Sequence, residues 1–372
     1  MRFNMLKAAV FASVCLMVAG CVTGRGGDPT VVRGAQRAAW SLDTGSGEMI
    51  VAVSPVRQTL QIMGSIGTVV GAGITAAQDA SHKKRIMESI GDYPTGKILQ
   101  ERLAASIATA LGEQSKRVAP LGNSTGYASM KDAEKERLAR LGREDFDYLL
   151  DVSAMHGVFG YEGDLVVQLN AVLRSFPRGR IVWRDSLCIY GGDVLFSQRL
   201  GDPTDRLKFN LASPRLASKE NAVSQWTRGN GALFKQSFET AVKQASEALL
   251  TRLGLMESAD GYYALGVDAM NRRDFGQAHA WLSRAHELAP ANPAIVNAIA
   301  VNLAHNGQPE EALKLARELT RGEGLKYAPA FFNLALFQAE ASNLAEASFS
   351  YKEALRLGMP PDSNLEKKLE GK

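Results

Sequence analysis

One signature near the C-terminus recurs at a fixed period, and it constrains the fold more than anything else in the chain. Leu265-Gly266, followed by Ala278, Ala285 and Pro290, returns 34 residues on as Ile299-Ala300 with Ala312. After a further 35 it returns again as Leu334-Ala335 with Ala347 and Ala354. A chain that repeats at this period builds one supersecondary unit several times, and each unit buries its apolar face only against its neighbours. Small residues at these places let two helices of a hairpin cross closely, and Asp274-Phe275 and Gln308-Pro309 fall where the turn and the second helix begin. The spacing predicts three helical hairpins over Ala259 to Asn292, Pro293 to about Lys326, and Ala328 to Pro361. The second copy departs from the pattern: Leu319 stands at its last small position, and Arg321-Gly322-Glu323-Gly324 adds a residue, predicting a looser joint. Beyond Pro361, Asp362-Ser363-Asn364 offers N-caps, and Leu365 and Leu369 at i, i+4 make residues 362–372 a terminal cap.

This signature resembles the tetratricopeptide repeat, whose members bind partner proteins on a concave surface lined by first helices. The resemblance projects Tyr263, Val267, Met270, Asn297, Val301, His305, Phe332 and Leu336 onto that face. Chaperone-binding members hold a C-terminal carboxylate with paired Lys and Asn. Here the Lys positions carry Tyr263, Asn297 and Phe332, so the resemblance implies an extended or helical apolar segment of a protein partner instead. The alternative is that the three repeats only build a scaffold or a dimer face.

At the other end, Arg2 and Lys7 precede an uncharged, mostly apolar run from Ala8 to Val18, which suits an export signal and is too short to span a bilayer. Met17-Val18-Ala19-Gly20-Cys21 then resembles the lipobox of bacterial lipoproteins. That resemblance implies a signal peptide over residues 1–20, lipid on Cys21, and stable anchoring, because several acyl chains hold where one is marginal. Val22 in place of Asp implies, by the same resemblance, the outer membrane with the protein facing the periplasm, surface exposure being the alternative. Residues 21–47, with Pro29 and glycines at 24, 26, 27, 34, 45 and 47, read as a flexible tether.

Residues 48–255 read as a small α+β sandwich domain. Met49 to Val53 is a short strand, and Ile98 to Leu111, with Leu103, Ile107 and Leu111 on one face, is a helix. Tyr148 to Val158, Leu165 to Phe176 and Ile181 to Tyr190 form three strands of an antiparallel meander. A helix from about Gly231 to Leu253 buries Phe234, Phe238, Ala241, Ala245, Ala248 and Leu249 and leads into the repeats. The predicted order is β, α, β, β, β, α, followed by the all-α tetratricopeptide-repeat solenoid. Asp147-Tyr148-Leu149-Leu150 and the turn Arg178-Gly179-Arg180 running into Ile181-Val182-Trp183 resemble envelope lipoproteins of the curli-secretion-channel and penicillin-binding-protein-activator group. Trp183 also has a plain account as a cross-strand core residue.

Signals for chemistry are weak. Gly122-Asn123-Ser124-Thr125-Gly126 fits the string of a nucleophile elbow, but Pro120 spoils the strand that should precede it. Gly91-Asp92-Tyr93-Pro94-Thr95-Gly96-Lys97-Ile98 ends in Ile where a phosphate-binding loop needs Ser or Thr. The five histidines, at 82, 156, 279, 286 and 305, include no i, i+4 pair, and no metal or other cofactor is expected. Lys plus Arg number 43 against 39 Asp plus Glu, a net charge of +4 that falls to +2 without Arg2 and Lys7, and this leaves no footprint for nucleic acid. Cys188 is the one thiol left if Cys15 departs with the leader and Cys21 is acylated, and it is expected to pack as a small hydrophobe. Gln58 to Gln78 carries no charge and holds four glycines, and it reads as a small-residue helix on the sheet, a membrane-contacting segment or a flexible excursion. Together these features predict a lipid-anchored, non-enzymatic envelope adaptor that binds a protein or peptide on its repeats. An oligomeric secretion-channel component is the alternative, a homo-oligomer is compatible with either, and a hydrolase is the third reading.

Overall fold

The computed structural model describes residues 28–35, 37–53, 68–120, 127–144, 146–159, 163–196 and 219–371. The leader, Cys21, residues 58–67 and the Gly122 to Gly126 string lie outside them.

Six strands make one mixed sheet: β1 (Ala38–Asp43), β2 (Ile50–Ala52), β3 (Lys116–Arg117), β4 (Tyr148–Phe159), β5 (Asp164–Ser175) and β6 (Arg180–Tyr190). Their order is β3-β1-β4-β5-β6, and β2 lies beside the far end of β4. Strands β4, β5 and β6 pair antiparallel, as their alternation predicts. The rest of the sheet does not follow that expectation, because β1 and β2 both run parallel to β4 and β3 runs parallel to β1. In register, β1 faces Tyr148 to Ser153 while β2 faces Gly157 to Phe159, so two short strands in line cover one long one.

The assignment of residues 21–47 to a tether is therefore corrected from Asp28 onward. Asp28 caps a 3-10 turn over Pro29–Gly34 by accepting from the Thr30 amide at 2.9 Å. Ala38, Ala39, Trp40, Ser41 and Leu42 are all buried, as a strand covered on both faces requires. Gly45 and Gly47, which suggested flexibility, take φ of 57° and 68° in the turn joining β1 to β2.

Among the described residues five α-helices belong to this unit: α1 (Thr68–Ile90), α2 (Thr95–Leu111), α3 (Tyr127–Leu141), α4 (Lys219–Thr227) and α5 (Ala232–Arg252). With two strands ahead of α1 and α3 inserted before the meander, the order is longer than the β, α, β, β, β, α expected. Helices α2 and α5 cover one sheet face, where Leu99, Leu103, Ile107, Phe234, Phe238 and Ala241 meet Leu150, Val167, Leu169 and Leu173. Trp183 lies 2% exposed opposite Leu173 in that core. On the other face α3 brings Leu141 to Ala39 and Leu149, and Arg137 binds Asp151 at 2.6 Å beside Ser41 and Arg174.

The C-terminal part of the chain is a helical-repeat region: α6 (Ala259–Asn271), α7 (Phe275–Leu288), α8 (Pro293–His305), α9 (Pro309–Arg321), α10 (Ala328–Glu340), α11 (Leu344–Arg356) and α12 (Ser363–Leu369). The small residues do sit at helix crossings. A Cβ on Gly266 would lie 2.6 Å from Leu282 Cγ, and Ala278, Ala312 and Ala347 are fully buried. The joint expected to be loose is instead tied by amides of Gly322, Gly324, Leu325 and Tyr327 donating back to carbonyls of Leu319, Leu319, Gly322 and Gly324. Asp362 caps α12 by accepting from the Asn364 and Leu365 amides, and Leu365 closes the core.

Candidate partner-binding groove

The first helices α6, α8 and α10 present a common face, and that face is covered by a piece of the same chain. After β6 ends at Tyr190, Gly191-Gly192 turn the backbone out of the sheet and Asp193-Val194-Leu195-Phe196 runs along the repeats without forming a helix or strand. Three apolar residues between turn formers are too few for a helix, so they dock extended. Val194, Leu195 and Phe196 are 0%, 1% and 4% exposed and share one hydrophobic cluster with Tyr263, Val267, Met270, Ile295 and Val301.

The main chain of this strap is held by two asparagines. Asn297 Nδ2 donates to the Val194 carbonyl at 2.8 Å, and Asn333 Nδ2 donates to the same oxygen at 2.9 Å and to Asn297 Oδ1 at 2.8 Å. Asn333 Oδ1 in turn accepts the Phe196 amide at 2.7 Å. A carboxamide carries both a donor and an acceptor, which is what reading an extended backbone from one side requires. Apolar side chains supply the rest: the Phe196 ring lies 4.7 Å from that of His305 and 4.9 Å from that of Phe337.

At the near end Tyr327 donates its hydroxyl to Asp193 Oδ1 at 2.8 Å. Asp193 is exposed as a residue, yet loss of water around its carboxyl raises its pKa from the usual value, against the lowering pull of the Tyr327 hydroxyl. Burial first, and the Asp193 charge second, raise the pKa of both Tyr263 and Tyr327.

Most of the residues projected from sequence onto a binding face are covered by this strap. Asn297 grips the strap, the His305 ring lies tilted against Phe196, and Tyr263, Val267, Met270, Val301 and Leu336 are buried in the cluster it completes. Phe332 is displaced from the position assigned to it, its ring 6.3 Å from Tyr351 on α11. Asn333 and Phe337 stand in the places equivalent to Asn297 and Val301. The signal was present: Pro293-Ala-Ile-Val-Asn297 and Pro329-Ala-Phe-Phe-Asn333 align at a shift of 36, one more than the alanines further along suggest.

Elsewhere, several of the described residues singled out for chemistry have structural employment. Gly91 turns at φ 62° after α1, and Gly96 starts α2 so close to Gly47 that a Cβ would lie 2.2 Å from its carbonyl oxygen. His156 Nε2 shares a 2.9 Å hydrogen bond with Thr95 Oγ1 under Phe238, and burial, assisted by Lys83, lowers its pKa to about 4. The Cys188 backbone amide donates to Asp268 Oδ1 at 3.0 Å. Among the described residues no cluster of His, Cys, Asp and Glu is arranged to hold a metal, and no helix is long and apolar enough to cross a membrane.

No protein-family model matches the chain, and no curated protein matches it. Among solved structures it is similar to YrrB, described as a TPR protein with an unusual peptide-binding site, at 24% identity over 40% of this chain and 73% of that one, with a TM-score of 0.28. It is also similar to the PelC dodecamer from Paraburkholderia phytofirmans, at 14% identity over 62% of this chain and 96% of that one, with a TM-score of 0.21. At such TM-scores neither likeness carries an argument, and the functional reading rests on the groove.

Proposed function

We propose that this chain is a non-enzymatic adaptor, lipid-anchored through Cys21 to the outer membrane on its periplasmic side, that holds a segment of a protein partner on its repeats in the assembly or regulation of an envelope machine. The observation that carries the binding half of this reading is the asparagine pair. Asn297 and Asn333 grip a backbone carbonyl and amide two residues apart, a mode that tolerates many sequences, while apolar pockets select side chains. The anchoring half rests on the basic start, the short apolar run and Ala19-Gly20-Cys21.

A photo-crosslinking residue placed at Lys326, next to Tyr327 at the strap's end, is expected to trap a discrete envelope protein in intact cells, and Cys21→Ser is expected to release the adaptor from membranes with loss of palmitate-analogue labelling. A wild-type chain that takes up no label would remove the anchoring half. Crosslinks only to the chain itself, in every growth condition, would remove the binding half.

A further inference from the structure

We infer that the strap Asp193–Phe196 is a resident ligand, so that the free protein is self-occupied, and that the partner's segment has the strap's own chemistry: extended, with an acceptor side chain followed by three apolar residues. The inference rests on the proposal that the repeat face holds a partner chain, and it adds what that chain is like and what must leave first.

Three observations support exchange over permanent cement. First, the contacts to the strap are those one chain makes to another: two main-chain groups read by side chains, three apolar side chains in pockets, and one acceptor, Asp193, met by a hydroxyl. None depends on the strap being covalently part of this chain. Second, the strap follows Gly191-Gly192, where the backbone has its greatest freedom, and it adds no strand to the sheet. Third, the docked contact is small: three apolar side chains and four hydrogen bonds are set against the conformational entropy lost by ordering four residues, so docking leaves only a narrow surplus. Asp193 also defines the first ligand position, an acceptor that the Tyr327 hydroxyl meets at 2.8 Å.

The probe is a labelled peptide with the sequence of residues 190–196, Tyr-Gly-Gly-Asp-Val-Leu-Phe, titrated onto the purified full chain. Wild type is expected to bind weakly, since a tethered competitor acts at an effective concentration of about millimolar. Replacing Val194, Leu195 and Phe196 with Ser empties the groove and should tighten binding at least about tenfold. Adding Asn297→Ala and Asn333→Ala to that variant should abolish it. Because the strap-free variant risks misfolding, hydrogen exchange on wild type gives a second readout. Saturating peptide should speed exchange at the Phe196 amide about tenfold or more while α8 and α10 keep their protection.

Failure of the peptide to bind either the wild type or a folded strap-free chain, or binding that survives loss of both asparagines, would overturn the inference. So would exchange at Phe196 that stays locked to global unfolding under saturating peptide. A strap-free chain that ignores the peptide yet still crosslinks to an envelope protein through Lys326 would sink this inference and leave the adaptor reading standing. Peptide exchange with no crosslinked partner in cells would do the reverse.

Discussion

Asn333 makes three hydrogen bonds, two to the strap and one to Asn297, in a place with 0% exposure. Asn333→Ala should therefore destabilise the protein by about 1–3 kcal/mol in a denaturant melt, because the Phe196 amide is left buried with no acceptor. Asn297→Ala should cost less, since the Val194 carbonyl keeps Asn333 as a donor. His156 offers a pH test in the other core. Its folded pKa, about 4, lies below the ordinary 6.5, so the unfolded chain takes up a proton between these values and the folded chain does not. Stability should be flat above pH 6.5 and fall as pH drops toward 4, by about 3 kcal/mol in all, as the linkage of proton binding to folding requires. His156→Gln, which can keep the Thr95 hydrogen bond, should remove that slope. Asp193 has the opposite sign: a raised folded pKa favours the docked strap at low pH and weakens it as pH rises through that pKa. With Tyr263 and Tyr327 as its titratable neighbours, Asp193→Asn should increase exchange protection at the Phe196 amide at neutral pH.

Elements whose residues alternate or recur were legible before the fold was known. The meander β4–β5–β6, helix α5 and the three hairpins all carry a period of two or of helical turns, because each shows one face to a core and the other outward. Strand β1 carries no such period, since Ala38 to Leu42 is buried on both faces, and its nearby glycines resemble a tether. The strap was illegible for a related reason: three apolar residues have no period at all, and their partners lie some hundred positions further along the chain, Val194 and Asn297 being 103 residues apart. Close approach of strands leaves an equally faint trace in sequence. Gly157 is such a place, where a Cβ would sit 2.0 Å from the Ile50 carbonyl oxygen. Gly157→Ala should force β2 from β4 and cost about 2–4 kcal/mol, more than an ordinary strand substitution. If its thermal midpoint matches wild type, the parallel pairing of β2 is wrong.

At the scale of the molecule, the sheet unit and the repeats share more than a linker. Ala264 and Leu265 of α6 belong to the sheet's hydrophobic core, and Trp281 of α7 touches both cores. Charges seal the junction. Arg252 binds Asp185 at 2.9 Å, Arg272 binds Asp268 at 2.7 Å and approaches Asp185 at 3.8 Å, and Asp268 also accepts the Cys188 amide on β6. The pair of carboxylates has only 2% side-chain exposure, so each depends on its guanidinium for charge balance. Removing one partner of a buried ion pair costs about 3–5 kcal/mol, because the remaining charge has no water to turn to. A repeat array joined to its neighbour this way should unfold with it, so helix loss at far ultraviolet and Trp fluorescence should report one coincident transition. Arg272→Met should lower that transition and divide it. Asp268 and Asp185 would then lose Arg272 at the seam while each core stays intact, and the repeats, held by the apolar contacts of Ala264, Leu265 and Trp281 and by the strap, should melt apart from the sheet. Separate transitions already present in wild type, or a single unshifted one in Arg272→Met, would show that the seam does not couple the sheet unit to the repeats.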